Sequence, residues 1–303
     1  MATKSSITPI QISLKEKMSV ALWRNVMSPL FTAIGGGRYP AGRLTEQRYG
    51  SLRDETLDFL KPVATTNGAT KTAVVHIHGG GWVSGSKGRF YAKPLLRLAS
   101  AGYPVFSLNY PLAPEHPHPF MLRSLLQALA WIKQSDPAYQ SIHLLGDSAG
   151  GNLAMMLGIM LTNLPLLKLV DAMDPTLLPT VKSILPIYAP LDRTTWIEDG
   201  FPSASLFLKA YTSENGLGNT PGVPIPVMPM DFPAIEKLPP TFLAAGSKDK
   251  LLRSSKLYAE HLRKAFKQVD FTIYEEADHG FFNFGTKSDE LGHDILNFLA
   301  KHE

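Results

Sequence analysis

Three residues of this chain have the types and order that suit nucleophilic catalysis. Ser148 lies in GDSAG, between an aliphatic run that stops at Gly146 and the apolar stretch GGNLAMM. A serine flanked by glycines fits the sharp strand-to-helix turn of a G-x-S-x-G elbow, with its hydroxyl exposed at the carboxyl end of a sheet. The glycines relieve crowding around a strained serine backbone. The helix that begins there aims free N–H groups and its positive end at developing negative charge. Asp249 follows in AAGSKDKLL, 101 residues further on, and His279 in EEADHGFF, another 30 residues along. Each stands just past an apolar run that reads as a strand. A serine hydroxyl becomes a useful nucleophile when an imidazole takes its proton. That imidazole needs a carboxylate to hold its tautomer and stabilise its cation. The expected chemistry is acyl transfer through a covalent intermediate on Ser148.

A second motif, HIHGGGW from His76 to Trp82, follows an apolar run directly. Its glycines let the backbone approach a substrate carbonyl closely. The N–H groups of Gly80 and Gly81, with that of Ala149 beyond the serine, are the expected oxyanion hole. A phosphate-binding loop is the competing reading of such glycines. GGGWVSGSKG lacks the Walker spacing and no GK[ST] follows, so the oxyanion reading is preferred.

Other acids and bases compete for the same roles. Asp278 adjoins His279, whereas the orienting acid of this arrangement comes from a separate loop, so Asp278 is read as structural. His76, His78, His116 and His118 all precede the serine, against the chain order Ser, Asp, His. Asp147, beside the serine, is read as a local salt-bridge or hydrogen-bond partner.

These residues need a scaffold that gathers loop ends. Short aliphatic runs start at Thr72, Tyr103, Ile142, Val181, Thr241 and Phe271, and continuous apolar runs suit strands covered on both faces. Helix-like segments alternate with them. Leu257, Leu262, Ala265 and Phe266 form one expected apolar stripe, and Leu291, Ile295, Phe298 and Leu299 another. The alternation implies a doubly wound, mostly parallel α/β sheet. Two regions do not alternate. Residues 1–45 carry an amphipathic stretch, with Leu14, Met18, Ala21 and Leu22 on one face, and read as an N-terminal cap on a catalytic domain over 46–303. Residues of about 193–240 hold Trp196, Phe201, Phe207 and Tyr211, then a run with seven prolines that forbids a long regular helix. They read as a second cap over a pocket.

Composition narrows the function. The 303 residues are 44% hydrophobic, enough for a sizeable core, and the net charge of +4 is scattered without a basic patch. Nucleic-acid binding is not expected. The absence of cysteine removes a disulfide framework, a cysteine nucleophile and a thiolate metal site. The first residues lack the apolar core of a secretory signal, and Arg24 and Asn25 interrupt the greasiest N-terminal stretch, so no membrane span and a cytoplasmic location are expected.

HGGGW, GDSAGG and NYPLAPEHPHP from Asn109 resemble the hormone-sensitive-lipase-like carboxylesterases of the α/β-hydrolase superfamily. In the third motif the matching residues are Tyr110, Leu112, Ala113, Pro114, Glu115 and His116, and the likeness runs from about Thr72 to the C-terminus. The resemblance implies an α/β-hydrolase fold, Ser148, Asp249 and His279 as a triad, Gly80, Gly81 and Ala149 as the oxyanion hole, and a cap over the site. It implies no metal and no organic cofactor. Two features depart from it. Lys250 replaces the usual proline after the acid, and the stretch LPLLKLVDAMDPTLLP from Leu164 is long for a link between the elbow helix and the next strand. The expected activity is hydrolysis of short-chain, soluble esters. An amidase, a lactonase or an acyl transferase would share the triad. A non-catalytic small-molecule receptor on the same fold is disfavoured by the presence of His279. The sequence leaves a homodimer open.

Overall fold

Strands form where apolar runs are covered on both sides, and the computed structural model places eight of them in one sheet. It describes residues 12–63, 72–171, 173–212, 226–232, 237–265 and 267–303. The strands are β1 (Leu44–Arg48), β2 (Thr56–Leu60), β3 (Thr72–Ile77), β4 (Val105–Leu108), β5 (Ser141–Asp147), β6 (Thr180–Ile187), β7 (Thr241–Gly246) and β8 (Val269–Tyr274). Their spatial order is β1-β2-β4-β3-β5-β6-β7-β8. From β4 to β8 neighbours run parallel, and β1 and β2 close one edge antiparallel. The six apolar runs of the sequence are β3 to β8. β1 and β2 escaped that reading because LTEQR is mostly exposed and TLDFL is interrupted by Asp58. Asp58 is tolerated inside because Lys87 Nζ lies 2.5 Å from its Oδ1.

The helices are α1 (Leu14–Leu22), α2 (Ser28–Gly35), α3 (Ala92–Ser100), α4 (Phe120–Ser135), α5 (Ala149–Leu161), α6 (Leu164–Val170), α7 (Thr195–Glu198), α8 (Ala204–Thr212), α9 (Leu252–Lys264) and α10 (Lys287–Lys301). A π-helical segment, Trp23–Met27, joins α1 to α2. Side chains alternate across the sheet as the strand period requires. Val75, Leu144, Ile184 and Leu243 pack with α4, α5 and α9. Val74, Leu145, Leu185 and Ala244 pack with α3 and α10. This is the doubly wound arrangement that strand–helix alternation implies. Helix α5 is apolar except for Asn152 and buried along almost its whole length. Among the described residues no single helix is long and apolar enough to cross a membrane.

Two expectations about helix faces change. In α9 the buried face is Ser254, Ser255, Tyr258, Ala259 and Leu262, while Leu257 is exposed. Tyr258 takes the core position because it lies on the same side as Ser254 and Leu262, at helical spacing. Phe266 lies outside the described residues, as do residues 1–11 and about half of the proline-rich run. In α1 the face with Leu14, Met18, Ala21 and Leu22 points to solvent, and only Val20 is buried. The helix is held from its other side: Lys209 Nζ binds Glu16 Oε1 at 2.8 Å and Trp23 Nε1–H donates to Ser203 Oγ at 3.3 Å. The long link after α5 folds as α6 and a 3-10 turn over Pro175–Leu177. Leu167 and Val170 face the core there, whereas Leu164, Leu169 and Leu177 are exposed.

Candidate active site

The end of β5 and the start of α5 shape the site first. Ser148 is the N-cap of α5 with φ 52° and ψ −123°, a left-handed conformation that a non-glycine residue adopts only under constraint. Such strain costs on the order of 1–3 kcal/mol. Its backbone is held by its N–H on the Ile187 carbonyl at 2.8 Å and by the Asn152 N–H on its own carbonyl at 3.1 Å. The following glycine matters for packing: a Cβ on Gly150 would collide with the carbonyls of Ile77 and His78. Only glycine lets α5 start this close to the end of β3.

His279, in the loop after β8, joins the serine to the acid. Its Nδ1 lies 2.9 Å from Asp249 Oδ2 and its Nε2 lies 3.0 Å from Ser148 Oγ. With the carboxylate on one side, the neutral ring carries its proton on Nδ1 and offers the Nε2 lone pair to the serine hydroxyl. Asp249 is buried in the loop after β7, and its second oxygen accepts the Leu251 N–H at 2.8 Å. Lys250 is exposed and leaves that loop intact. Asp278 is engaged elsewhere, accepting the backbone N–H of His279 at 2.7 Å. Burial by itself would lower the His279 pKa. The charge and hydrogen bond of Asp249, with the charges of Asp147 and Asp278, outweigh it and raise the value above 6.5. The edge of Phe201 and the ring of Tyr188 bracket the imidazole, with centroids 4.8 Å and 4.7 Å away. Neither residue carries a sequence signal for this position.

The glycine loop faces the serine from the end of β3. Gly80 has φ 120°, a backbone state that a side chain would strain, and its carbonyl takes the N–H groups of Val83 at 3.2 Å and Ser84 at 3.0 Å. Among the described residues, the N–H groups of Gly80 and Gly81 have no acceptor, and Ala149 is the first residue of a helix, whose N–H has no intrahelical partner. All three residues line one cavity with Ser148 and His279. Gly79 N–H is fixed differently, donating to Asp147 Oδ1 at 3.0 Å.

The four rival histidines make other contacts. His76 Nδ1 meets Ser107 Oγ at 3.1 Å, and its Nε2 lies 3.6 Å from Asp147 Oδ1. His78 Nδ1–H donates to the Gly79 carbonyl at 2.7 Å while its ring stacks on Tyr110. Burial pushes the His78 pKa down to about 4. His118 Nδ1 lies 3.1 Å from the Tyr211 hydroxyl. The ring of His116 lies against Phe120.

The cavity has a volume of about 200 Å³ and is mostly apolar. Trp23 and Phe31 reach it from the N-terminal helices, and Trp196, Phe201 and Phe207 from the segment after β6. Tyr211 does not line it: its ring is buried and stacks on Trp82 at 4.3 Å. Asn283 and Phe284 contribute from the loop after His279. They lie too close to His279 in sequence, in a loop without periodicity, for their placement to be read from pattern. Among the described residues no group of three or more His, Asp or Glu side chains converges as a metal site would require. A linked hydroxyl, imidazole and carboxylate, with N–H groups that have no acceptor among the described residues, meet at one apolar cavity and have the reach for acyl transfer.

Comparison with known proteins adds an independent line. The family model for the alpha/beta hydrolase fold matches residues 74–283. The chain is similar to an esterase of Acinetobacter venetianus, 28% identical over 207 residues that cover 66% of this chain and 64% of that protein. It is similar to the hormone-sensitive lipase of Mus musculus over a shorter stretch, 38% identical over 96 residues, or 30% of this chain and 12% of the lipase. In structure it is similar to esterase B of Lactobacillus rhamnosis, with a TM-score of 0.78 and 20% identity over 95% of this chain and 93% of that one. The chain thus spans under two thirds of the length of these curated relatives.

Proposed function

This chain belongs to the alpha/beta hydrolase fold family, and from that membership we propose that it is a serine carboxylesterase with Ser148, His279 and Asp249 as its triad. The observation that carries the reading is the double engagement of His279, 2.9 Å from Asp249 on one ring nitrogen and 3.0 Å from Ser148 on the other. The Ser148 oxygen attacks the ester carbonyl carbon as its proton passes to His279 Nε2. The tetrahedral oxyanion is held by the N–H groups of Gly80, Gly81 and Ala149, each such donor contributing roughly 3–4 kcal/mol. Collapse breaks the carbon–oxygen bond to the alcohol, which leaves with the proton from His279. Water then attacks the acyl-enzyme, with His279 again as base, and the acid departs.

The preferred substrates in this reading are short-chain esters. A cavity of about 200 Å³ is little larger than the roughly 150 Å³ that holds a benzene. A longer chain would leave methylenes unburied at about 0.8 kcal/mol each. We assign the roof of the cavity to two caps, the N-terminal helices and the segment of about 193–240. The test is labelling with a fluorophosphonate, alongside turnover of p-nitrophenyl butyrate. The expected result is one phosphonyl adduct on Ser148 with matching loss of turnover. Turnover that survives complete labelling of Ser148, or no turnover of any activated ester by folded protein, would overturn the proposal.

A further inference from the structure

The outer face of the N-terminal helices carries a line of exposed apolar side chains. Leu14, Met18, Leu22, Val26, Leu30 and Ile34 follow one another every four residues, and each is about half exposed or more, up to 75% at Leu14. An α-helix read at a spacing of four drifts by about 40° per step, so such a line would normally wind around the helix. The π segment Trp23–Met27 turns more slowly per residue and returns part of that drift. The six side chains therefore stay together as a ridge roughly 30 Å long, from 1.5 Å per residue. Isolated exposed apolar residues need no explanation, but a continuous ridge does.

Charge selects what the ridge meets. Residues 12–40 hold the bases Lys15, Lys17, Arg24 and Arg38 and one acid, Glu16. Glu16 is taken by Lys209 and Arg24 by Glu115. Lys15, Lys17 and Arg38 are exposed and have no ion-pair partner among the described residues. Lys15 and Lys17 flank the ridge on opposite sides at helical spacing. A second copy of the chain would bring like charges together across this face. An anionic lipid surface satisfies both features, taking the apolar line at its acyl boundary and the lysines at its headgroups.

We propose that the ridge docks the protein onto anionic lipid surfaces, with α1, the π segment and α2 lying in the interfacial plane. The same helices carry the cavity on their other flank, since Trp23, Ser28 and Thr32 line it and Phe31 belongs to both the cavity and the exposed side. Docking therefore sets the rim of the cavity against the lipid. The inference stands apart from the proposed chemistry, because binding can be read without turnover.

The experiment is co-sedimentation of the full chain with vesicles of phosphatidylcholine, with and without phosphatidylglycerol. Wild-type protein is expected to partition onto the anionic vesicles and to be released by added salt. Met18→Glu with Leu22→Glu, and separately Lys15→Glu with Lys17→Glu, should each lower that partition about tenfold or more. Both pairs should leave turnover of a soluble ester unchanged, which also certifies the fold. Wild-type protein that stays in the supernatant overturns the proposal, as does equal binding by the variants or by neutral vesicles. A stable wild-type dimer that Met18→Glu splits would assign the ridge to a second copy instead.

Discussion

Asp147 Oδ1 accepts the backbone N–H of Gly79 at 3.0 Å, so the residue before Ser148 ties down the loop that faces it. Its other oxygen takes the Tyr91 hydroxyl at 3.3 Å, and that hydroxyl also accepts the Gly79 N–H at 3.0 Å. The carboxylate is nearly buried, so without it the Tyr91 hydroxyl proton would lack its acceptor and the Gly79 N–H would keep only Tyr91. Asp147→Ala is expected to cost about 1–3 kcal/mol of stability for each group left unsatisfied. It should also lower kcat by roughly tenfold or more through a loosened oxyanion loop, with a smaller change in KM. Thermal melting and steady-state kinetics test both. A folded variant with wild-type kcat would remove the positioning role.

Ser148→Ala should abolish turnover on the order of a millionfold while leaving the melting temperature within a few degrees. Among the described residues the hydroxyl bonds only to His279, and its replacement leaves no void in the core. Retention of a tenth of wild-type turnover by a folded variant contradicts the assignment.

Asp249→Asn should reduce turnover by roughly four orders of magnitude, because an amide at this place favours the wrong imidazole tautomer. Asp278→Asn should cost far less, since that side chain meets a backbone N–H and not the ring. The reverse ranking in kcat/KM would give the orienting role to Asp278.

The pH profile follows from the direction of the His279 shift. The base acts when neutral, and its pKa is raised above 6.5 by the net effect of Asp249, Asp147 and Asp278 over burial. The kcat/KM should therefore rise with pH through a midpoint above the ordinary histidine value and level off on the alkaline side. Residual activity of Asp249→Asn should rise at lower pH, because its largest charge partner is gone. A wild-type profile that is flat from mildly acid to mildly alkaline pH sinks the histidine base.

Phe207 lines the cavity, against Gly81 and with its ring 5.2 Å from Trp23. Phe207→Leu should move the optimum in a series of nitrophenyl esters toward longer acyl chains. For wild type the maximum kcat/KM is expected between acetate and hexanoate. A maximum at palmitate in the wild type, with a jump at micelle formation, would replace the short-chain reading with that of an opening lid.

The core strands and the candidate chemistry were legible in the sequence because both are local in pattern. β3, β5 and β7 are buried on both faces, so they appear as unbroken aliphatic runs. The elbow around Ser148 and the glycine loop are legible because tight backbone turns admit few residue types. β1 and β2 lack such a signature, since the edge strand β1 is mostly exposed and the buried β2 holds Asp58, which is paired with a lysine 29 residues away. Tertiary structure alone decided which side of α1 faces inward. The apolar line was visible, but periodicity ranks faces by composition, and here a few directional contacts outrank it: Glu16 to Lys209, Trp23 to Ser203 and Phe207, and Arg24 to Glu115. Likewise no spacing could say that Phe201 and Tyr188 would bracket His279. Those neighbours come from segments brought together by the sheet's order, and distance across a fold is not written in distance along a chain.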